Sequence, residues 1–149
     1  MSDAARADTE AHIAKVQERM DECVALLIAR AVMHDASKLQ EPEKSGYDHW
    51  KPILRQLPED SPEMEAARRE MGAILEHHVN ANAGHHPSGN ANGVADMSLL
   101  GLLEMLADWR AAADEKPPHV LLLDYNIKRF GIEPQLAAIL GNTVKELGW

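Results

Sequence analysis

The sequence has few aromatic residues and almost no cysteine. Among its 149 residues are three Trp, two Tyr, one Phe and a single cysteine, Cys23. One cysteine excludes an internal disulfide framework and a cysteine-rich metal site, and it fits a reducing compartment. Because hydrophobic residues make up 45% of the chain, the core must be aliphatic, which favours helices over sheets.

Long apolar runs and an excess of positive charge are also lacking. No run approaches the roughly 20 residues that span a bilayer, and the N-terminal segment has no apolar signal region. The net charge of -9 argues against a surface for duplex nucleic acid, which needs clustered Lys and Arg. We therefore expect a cytoplasmic protein that binds neither a membrane nor duplex nucleic acid.

Apolar residues at three- and four-residue steps predict a long first helix, from Asp8 to about Leu39. The stripe consists of Ile13, Val16, Met20, Val24, Leu27, Ala31 and His34. Prolines and a glycine then interrupt the pattern, so residues 41–62 are predicted to be loop with short helical pieces.

A second helix is predicted to begin at Ser61, where Pro62 follows as a first helical residue, and its apolar stripe leads to His78. Residues 79–96 are rich in Asn and Gly and predict a long loop over the site. Further helices are predicted from Ser98 to Ala113, over 120–129 and over 134–147. The fold class is all-α, one domain over 1–149 with about five to seven helices.

Histidines fall in pairs or beside an acid, which points to a metal site. The groups are His34-Asp35, His77-His78 and His85-His86, with His12 alone upstream. Bringing several imidazoles together is costly unless they bind something. Imidazole and carboxylate ligands suit Mn, Fe, Co, Ni or Zn, so we expect one or two divalent transition-metal ions.

The sequence distinguishes the two histidines of one pair as ligand candidates and leaves the other pair undecided. His78 continues the apolar stripe of its helix and should face inward more directly than His77. Between His85 and His86 the sequence does not decide, because a loop before proline can aim either side chain inward. The neighbour can instead bind substrate or orient a ligand.

The segment His34-Asp35-Ala36-Ser37-Lys38 resembles the HD-domain superfamily of metal-dependent phosphohydrolases. Its ordered ligand set would here be His12, His34, Asp35, His77-His78, His85-His86 and Asp108. The sequence also looks like a narrower, largely uncharacterised and often phage-encoded family with HDxSK, Pro-Glu, HHxxxN, HHP and DWxAA motifs. That match covers nearly the full length but brings no settled activity.

The resemblance implies an HD-like helical bundle in a bacterium or a phage-infected cell. It also implies hydrolysis of a small phosphorylated substrate, with a nucleotide as the first candidate, and a homo-oligomer is allowed. Asp35 would act in catalysis and bridge two metals, and Lys38 would meet the phosphoryl oxygens. Arg110 and Asn82 are further candidates for substrate binding.

His12 is the one ligand on which spacing and resemblance disagree. On a continuous helix it would lie roughly 33 Å from His34, so joint ligation requires the chain to reverse near Met20 to Cys23. No Gly or Pro marks a turn there. The family order favours His12 as a ligand, and the periodicity opposes it.

Two other functions fit the same residues. Some HD-fold members use two irons to activate oxygen, so a di-iron oxygenase is one alternative. A non-catalytic phage protein that binds a nucleotide or a partner around a structural metal is the other. The aromatic residues Tyr47, Trp50 and Trp109 could stack a base, or they could simply anchor the core and the loops.

Overall fold

The computed structural model describes residues 1–149 and contains seven α-helices and no strand. The helices are α1 Asp3–Met33, α2 Glu43–Leu54, α3 Pro62–Met71, α4 Ala73–Ala81, α5 Leu99–Asp114, α6 Leu123–Arg129 and α7 Pro134–Leu147. Short 3-10 turns occupy Ala36–Leu39, Pro87–Gly89 and Gly93–Asp96. The predicted all-α class is therefore confirmed. None of these helices is both long and apolar enough to cross a membrane.

The chain divides into two units, residues 1–34 and residues 35–149. The first unit is the single helix α1, capped by the Ser2 hydroxyl, which accepts a hydrogen bond from the Ala5 amide at 3.3 Å. It contains no buried residue. The second unit holds the remaining helices and the hydrophobic core.

Serine caps start two of the helices where the sequence predicts them. The Ser61 hydroxyl accepts from the Met64 amide at 3.1 Å and begins α3. The Ser98 hydroxyl does the same for the Gly101 amide at the start of α5. Each cap satisfies an amide that the first helical turn leaves without a partner.

The prediction of a loop over residues 41–62 is wrong for most of that segment, because α2 occupies Glu43–Leu54. Pro42 directly precedes the helix and Pro52 lies in its last turn. A proline at either place disturbs few backbone hydrogen bonds. The prolines therefore bracket α2 rather than break it.

The second predicted helix is also divided in two. Gly72, with a φ of 49°, separates α3 from α4, and such a backbone conformation favours glycine. The apolar stripe still continues across the break, since Met64, Ala67, Met71 and His78 are all buried. The change of direction at Gly72 leaves the inward face intact.

The main hydrophobic cluster lies between α5 and α7. Its buried members are Leu102, Met105, Leu106, Ile132 and Leu140. Trp109 packs against this cluster and stacks on Phe130, with ring centroids 5.6 Å apart and planes at 5°. The core-anchor alternative for Trp109 is therefore the one that its contacts support.

An ion-pair network ties the end of α3 to later elements. Glu59 accepts hydrogen bonds from Arg68 and from Lys116, the latter at 2.8 Å. Tyr125 donates to Glu65 at 2.9 Å, and Glu65 also pairs with Arg68. The network joins α3 to α6 and to the segment after α5.

The helix α2 packs against α4, and the backbone of α2 lies directly against the Ile74 side chain of α4 at Gly46. A Cβ atom at Gly46 of α2 would lie 2.7 Å from a side-chain carbon of Ile74 in α4. Real Cβ atoms do not approach so closely, so glycine is what permits this contact. The contact matters because α2 carries Glu43 and α4 carries His78.

We expect Gly46→Ala to lower the free energy of unfolding by about 1 to 3 kcal/mol, because α2 and α4 must move apart to admit the methyl group. Gly141→Ala in α7 is the matched control, since nothing lies within 4 Å of a Cβ at that position. It should raise stability by up to about 1 kcal/mol through helix propensity. Urea denaturation measures both, and equal effects would contradict the close α2–α4 contact.

Candidate metal centre

Four side chains of the second unit place one potential ligand atom each within 4.8 Å of all the others. They are Asp35, His78, His85 and His86. His78 and His85 are buried at 2% and 3% exposure, and Asp35 and His86 are partly buried. This arrangement could hold a metal ion.

The spacings between these atoms suit a shared ion. The Nε2 atoms of His78 and His85 each lie 3.3 Å from Oδ1 of Asp35, and Nε2 of His86 lies 2.9 Å from Nε2 of His78. Neighbouring ligands at about 2.1 Å from one ion are separated by about 3.0 Å in octahedral and about 3.4 Å in tetrahedral geometry. The observed distances fall close to that range.

Glu43 orients His78 from the side away from the cluster. Its carboxylate is fully buried, and its Oε2 lies 2.8 Å from Nδ1 of His78 while Oε1 lies 2.7 Å from Nδ1 of His77. A carboxylate accepts, so Nδ1 of His78 carries the proton and Nε2 turns a lone pair toward the cluster. Carboxylates behind ligating histidines commonly fix the ring in this way.

Glu43 is held in its ionised form despite its burial. Burial alone would raise the pKa of Glu43, but hydrogen bonds from His77, His78 and Ser37 outweigh it and lower the pKa. The Ser37 hydroxyl donates to Glu43 at 3.0 Å. The ionised carboxylate is thus an acceptor for three donors.

Glu104 of α5 plays the matching part for His85. Its Oε1 lies 3.1 Å from Nδ1 of His85, and the Nε2 atom of the same ring points toward Asp35. Each buried histidine of the cluster therefore has a carboxylate behind Nδ1 and an Nε2 atom facing Asp35. This repeated arrangement is typical of metal sites.

The remaining charges keep the cluster in a form suited to a cation. Burial alone would raise the pKa of Asp35, but the neighbouring His85 ring and the charge of Lys38 outweigh burial and lower the pKa strongly. Burial lowers the pKa of His78 and of His86, and this effect outweighs the neighbouring carboxylates, which act in the opposite direction. The site thus presents an anionic carboxylate beside the neutral imidazoles of His78 and His86.

Lys38 lies at the edge of the cluster. Its Nζ is 2.5 Å from Oδ2 of Asp35 and 4.8 Å from the centre of the Tyr47 ring. Burial, followed by the charges of Asp35 and Glu43, raises the pKa of Tyr47, so the ring stays neutral beneath the ammonium. The ammonium group of Lys38 is therefore held between the Asp35 carboxylate and the Tyr47 ring.

The loop that carries His85 and His86 is held close to α4. A Cβ at Gly89 would lie 2.5 Å from the carbonyl oxygen of Val79, so only glycine allows this approach. Asn90 adds hydrogen bonds to the carbonyls of Ala83 and His86 at 2.8 and 3.0 Å. The predicted site-forming loop thus folds back on the helix that supplies His78.

Several predicted site residues have positions or contacts of their own. Asp108 of α5 places a carboxylate oxygen within 4.8 Å of a ring nitrogen of His85. His77 is half-exposed and bonded to Glu43, so it lies on the far side of that carboxylate from the cluster. His34 follows α1 as its C-cap residue and precedes Asp35, and its role as a ligand stays a prediction.

Arg110 and Asn82, predicted to bind substrate, are both engaged with the protein. Arg110 pairs with Asp114 of its own helix. Asn82 donates to the Ser37 hydroxyl at 2.7 Å and to the His78 carbonyl at 2.9 Å. Asn82 thus helps to fix His78, and its contact with substrate stays a prediction.

The turn that His12 would need does not exist. The helix α1 is continuous from Asp3 to Met33, so His12 and His34 of one chain lie roughly 33 Å apart along it. They cannot bind the same ion within one chain. The apolar period correctly predicts the continuous helix, and His12 as a ligand to the same ion as His34 of its own chain is excluded.

Glu43 and Glu104 were given no role from the sequence. The Pro42-Glu43 pair belongs to the motif pattern, but no spacing rule connects Glu43 with His77 and His78, which lie more than 30 residues later in the sequence.

Comparison with family models gives a match over nearly the full length of the chain, residues 1–146. The chain belongs to a family of unknown function (DUF5662). Comparisons with curated proteins and with solved structures give no match.

We expect Glu43→Gln to weaken metal binding by about 10- to 100-fold, because an amide cannot accept from both histidines at once. Competition with a chelator at equilibrium measures the affinity. Glu41→Gln is the control, since Glu41 is exposed and bonded to Ser45. Unchanged affinity in a Glu43→Gln protein with native helix content would contradict the orienting role.

Proposed function

We propose that this protein is a metal-dependent phosphohydrolase of the HD type that acts on a small phosphorylated substrate. The observation that carries the proposal is the convergence of Asp35, His78, His85 and His86, with Lys38 at the rim. A metal held by these residues would supply Lewis acidity and activate water for attack on a phosphoryl group. The resemblance to HD phosphohydrolases agrees with this chemistry.

The cluster residues would supply metal ligands of two kinds. Asp35 contributes the anionic ligand, and the three histidines contribute neutral ligands. His34 and Asp108 are the further ligands that the resemblance implies, which allows a second ion. The mixed set of imidazole and carboxylate suits Mn, Fe, Co, Ni or Zn.

Lys38 is proposed as the group that meets the substrate phosphate. It lies beside the Asp35 carboxylate, so its charge would face an oxyanion that binds next to this ligand. A cation placed where charge develops stabilises the transition state of phosphoryl transfer. The Tyr47 ring beneath it limits the positions that the flexible side chain can adopt.

A nucleotide is the proposed substrate class, since it is the commonest one in the superfamily that the sequence resembles. Of the three aromatic residues considered for stacking a base, Trp109 packs on Phe130 and Tyr47 on Lys38. Trp50 lies in α2, where it makes an edge contact with His49 at 5.2 Å. Trp50 is therefore the remaining candidate for contact with a base.

A di-iron oxygenase is the second candidate, because the same ligands suit iron. The two functions differ in co-substrate and product. An oxygenase needs dioxygen and releases no phosphate, whereas the hydrolase works without oxygen. Assays of the iron-loaded protein with and without oxygen therefore separate them, and oxygen-dependent turnover without phosphate release would overturn the hydrolase.

The proposal is tested by metal analysis of the purified protein and a screen of nucleotides for phosphate or pyrophosphate release under Mn, Co, Ni, Fe and Mg. We expect at least about one ion per chain and turnover with one of these metals. Less than about one ion together with no turnover contradicts the proposal. Tight nucleotide binding without turnover would instead favour the non-catalytic binding protein.

Lys38→Met should lower kcat/KM by about 10²- to 10³-fold and leave the metal content unchanged, because the lysine meets phosphate rather than the ion. Asp35→Asn should instead reduce the metal content. Lys44→Met is the control, since Lys44 is an exposed partner of Asp48 in α2 and should retain full activity. Equal activity of the Lys38 and Lys44 variants would remove Lys38 from the mechanism.

A further inference from the structure

The helix α1 is long and buries none of its apolar side chains. Its 31 residues extend over about 46 Å. Ile13, Val16, Met20 and Val24 are between 47% and 59% exposed. These residues form the first part of the apolar stripe, so this part of the stripe is open to solvent in the single chain.

The second part of α1 is apolar on every side. Between Cys23 and Met33 the one charged residue is Arg30, and Leu26, Ile28 and Val32 are 56%, 60% and 76% exposed. A helix that is hydrophobic all round is normally buried, and helices in proteins gain most of their stability from packing. We therefore expect the apolar side chains of α1 to pack against a partner surface of similar length.

When Cys23 is counted with the stripe, the spacing of the stripe is the same read from either end. Its positions 13, 16, 20 and 23 are separated by three, four and three residues, as are positions 24, 27, 31 and 34. An antiparallel copy of such a helix presents apolar residues at matching heights. Three heptads of this kind meet the usual minimum for helix pairing.

We propose that a second copy of this chain covers the stripe, by antiparallel pairing of α1 with its counterpart. In this register Val16 lies opposite Ala31 of the second copy, and Met20 lies opposite Leu27. Cys23 and Val24 lie at the twofold axis. The interface is self-complementary, as a twofold dimer requires.

Charge favours the antiparallel direction. Residues 3–22 contain six acidic and three basic side chains, whereas residues 23–33 contain only Arg30. Parallel pairing would bring two acidic halves together and two Arg30 side chains to the same height. Antiparallel pairing keeps the two acidic halves apart and sets residues 14–22 of each copy beside residues 25–33 of the other, which lowers the repulsion.

Sedimentation equilibrium of the full chain tests the association. We expect a dimer at micromolar concentration, and we expect Met20→Glu to weaken it by at least about a hundredfold because two unpaired charges would be buried. Ala11→Glu is the control, since residue 11 lies on the side of α1 opposite to residue 20. A monomeric parent chain, or equal effects of the two variants, overturns the proposal.

Disulfide cross-linking distinguishes antiparallel from parallel pairing of the two α1 helices. At the centre of the apolar stripe it needs only the substitution Cys23→Ser. In that background, Val16→Cys and Ala31→Cys proteins are mixed and oxidised. We expect a heterodimeric disulfide between positions 16 and 31, because paired positions come within disulfide distance. In the antiparallel pair, two residues at position 16 lie about 22 Å apart.

Each protein oxidised alone supplies the comparison. Disulfides between identical positions, with none in the mixture between 16 and 31, show parallel pairing and overturn the proposal. Absence of every cross-link also overturns it. Metal is left out throughout, so the outcome is independent of the proposed hydrolase activity.

Discussion

The buried carboxylate of Glu43 is the interaction on which the candidate metal centre depends. It lies at the start of α2, accepts from two adjacent histidines of α4 and binds the Ser37 hydroxyl beside Asp35. Three separate segments therefore meet at one side chain. A buried charge of this kind is costly unless every oxygen is hydrogen-bonded, so these segments must take their observed positions together.

The packing around Glu43 explains why the neighbouring glycines are needed. Gly46 brings α2 against Ile74 of α4, and Gly89 brings the histidine loop against Val79. Both contacts draw backbone close to α4, the helix that supplies His78. The cluster of imidazoles is thus built on one short helix, with a second helix and a loop packed against it.

Much of the helical fold follows from local signals. Ser61 and Ser98 cap helices at the predicted places, and α7 has the predicted bounds Pro134–Leu147. The sequence pattern does not predict α2, because prolines usually break a helix, whereas here Pro42 precedes the helix and Pro52 lies in its last turn. Position within a helix decides what a proline does, and composition alone does not reveal position.

The candidate site is also predictable only in part, because residue type and helical period are visible in the sequence but tertiary packing is not. His78 and the loop histidines stood out by residue type and period, and the helical period separated His78 from His77. Glu43 and Glu104 did not stand out, because acidic residues are common on exposed helix faces and burial depends on tertiary packing. Their role becomes visible only when distant segments are brought together.

The hydrogen bonds of Glu43 also connect the interior with the surface. His77 is 48% exposed on its side chain, contacts Glu43 through Nδ1, and shares that carboxylate with the buried His78. Imidazole and carboxylate groups in such a series can relay protons. A continuous series of hydrogen bonds therefore links the buried His78 ring to a side chain that is in contact with bulk water.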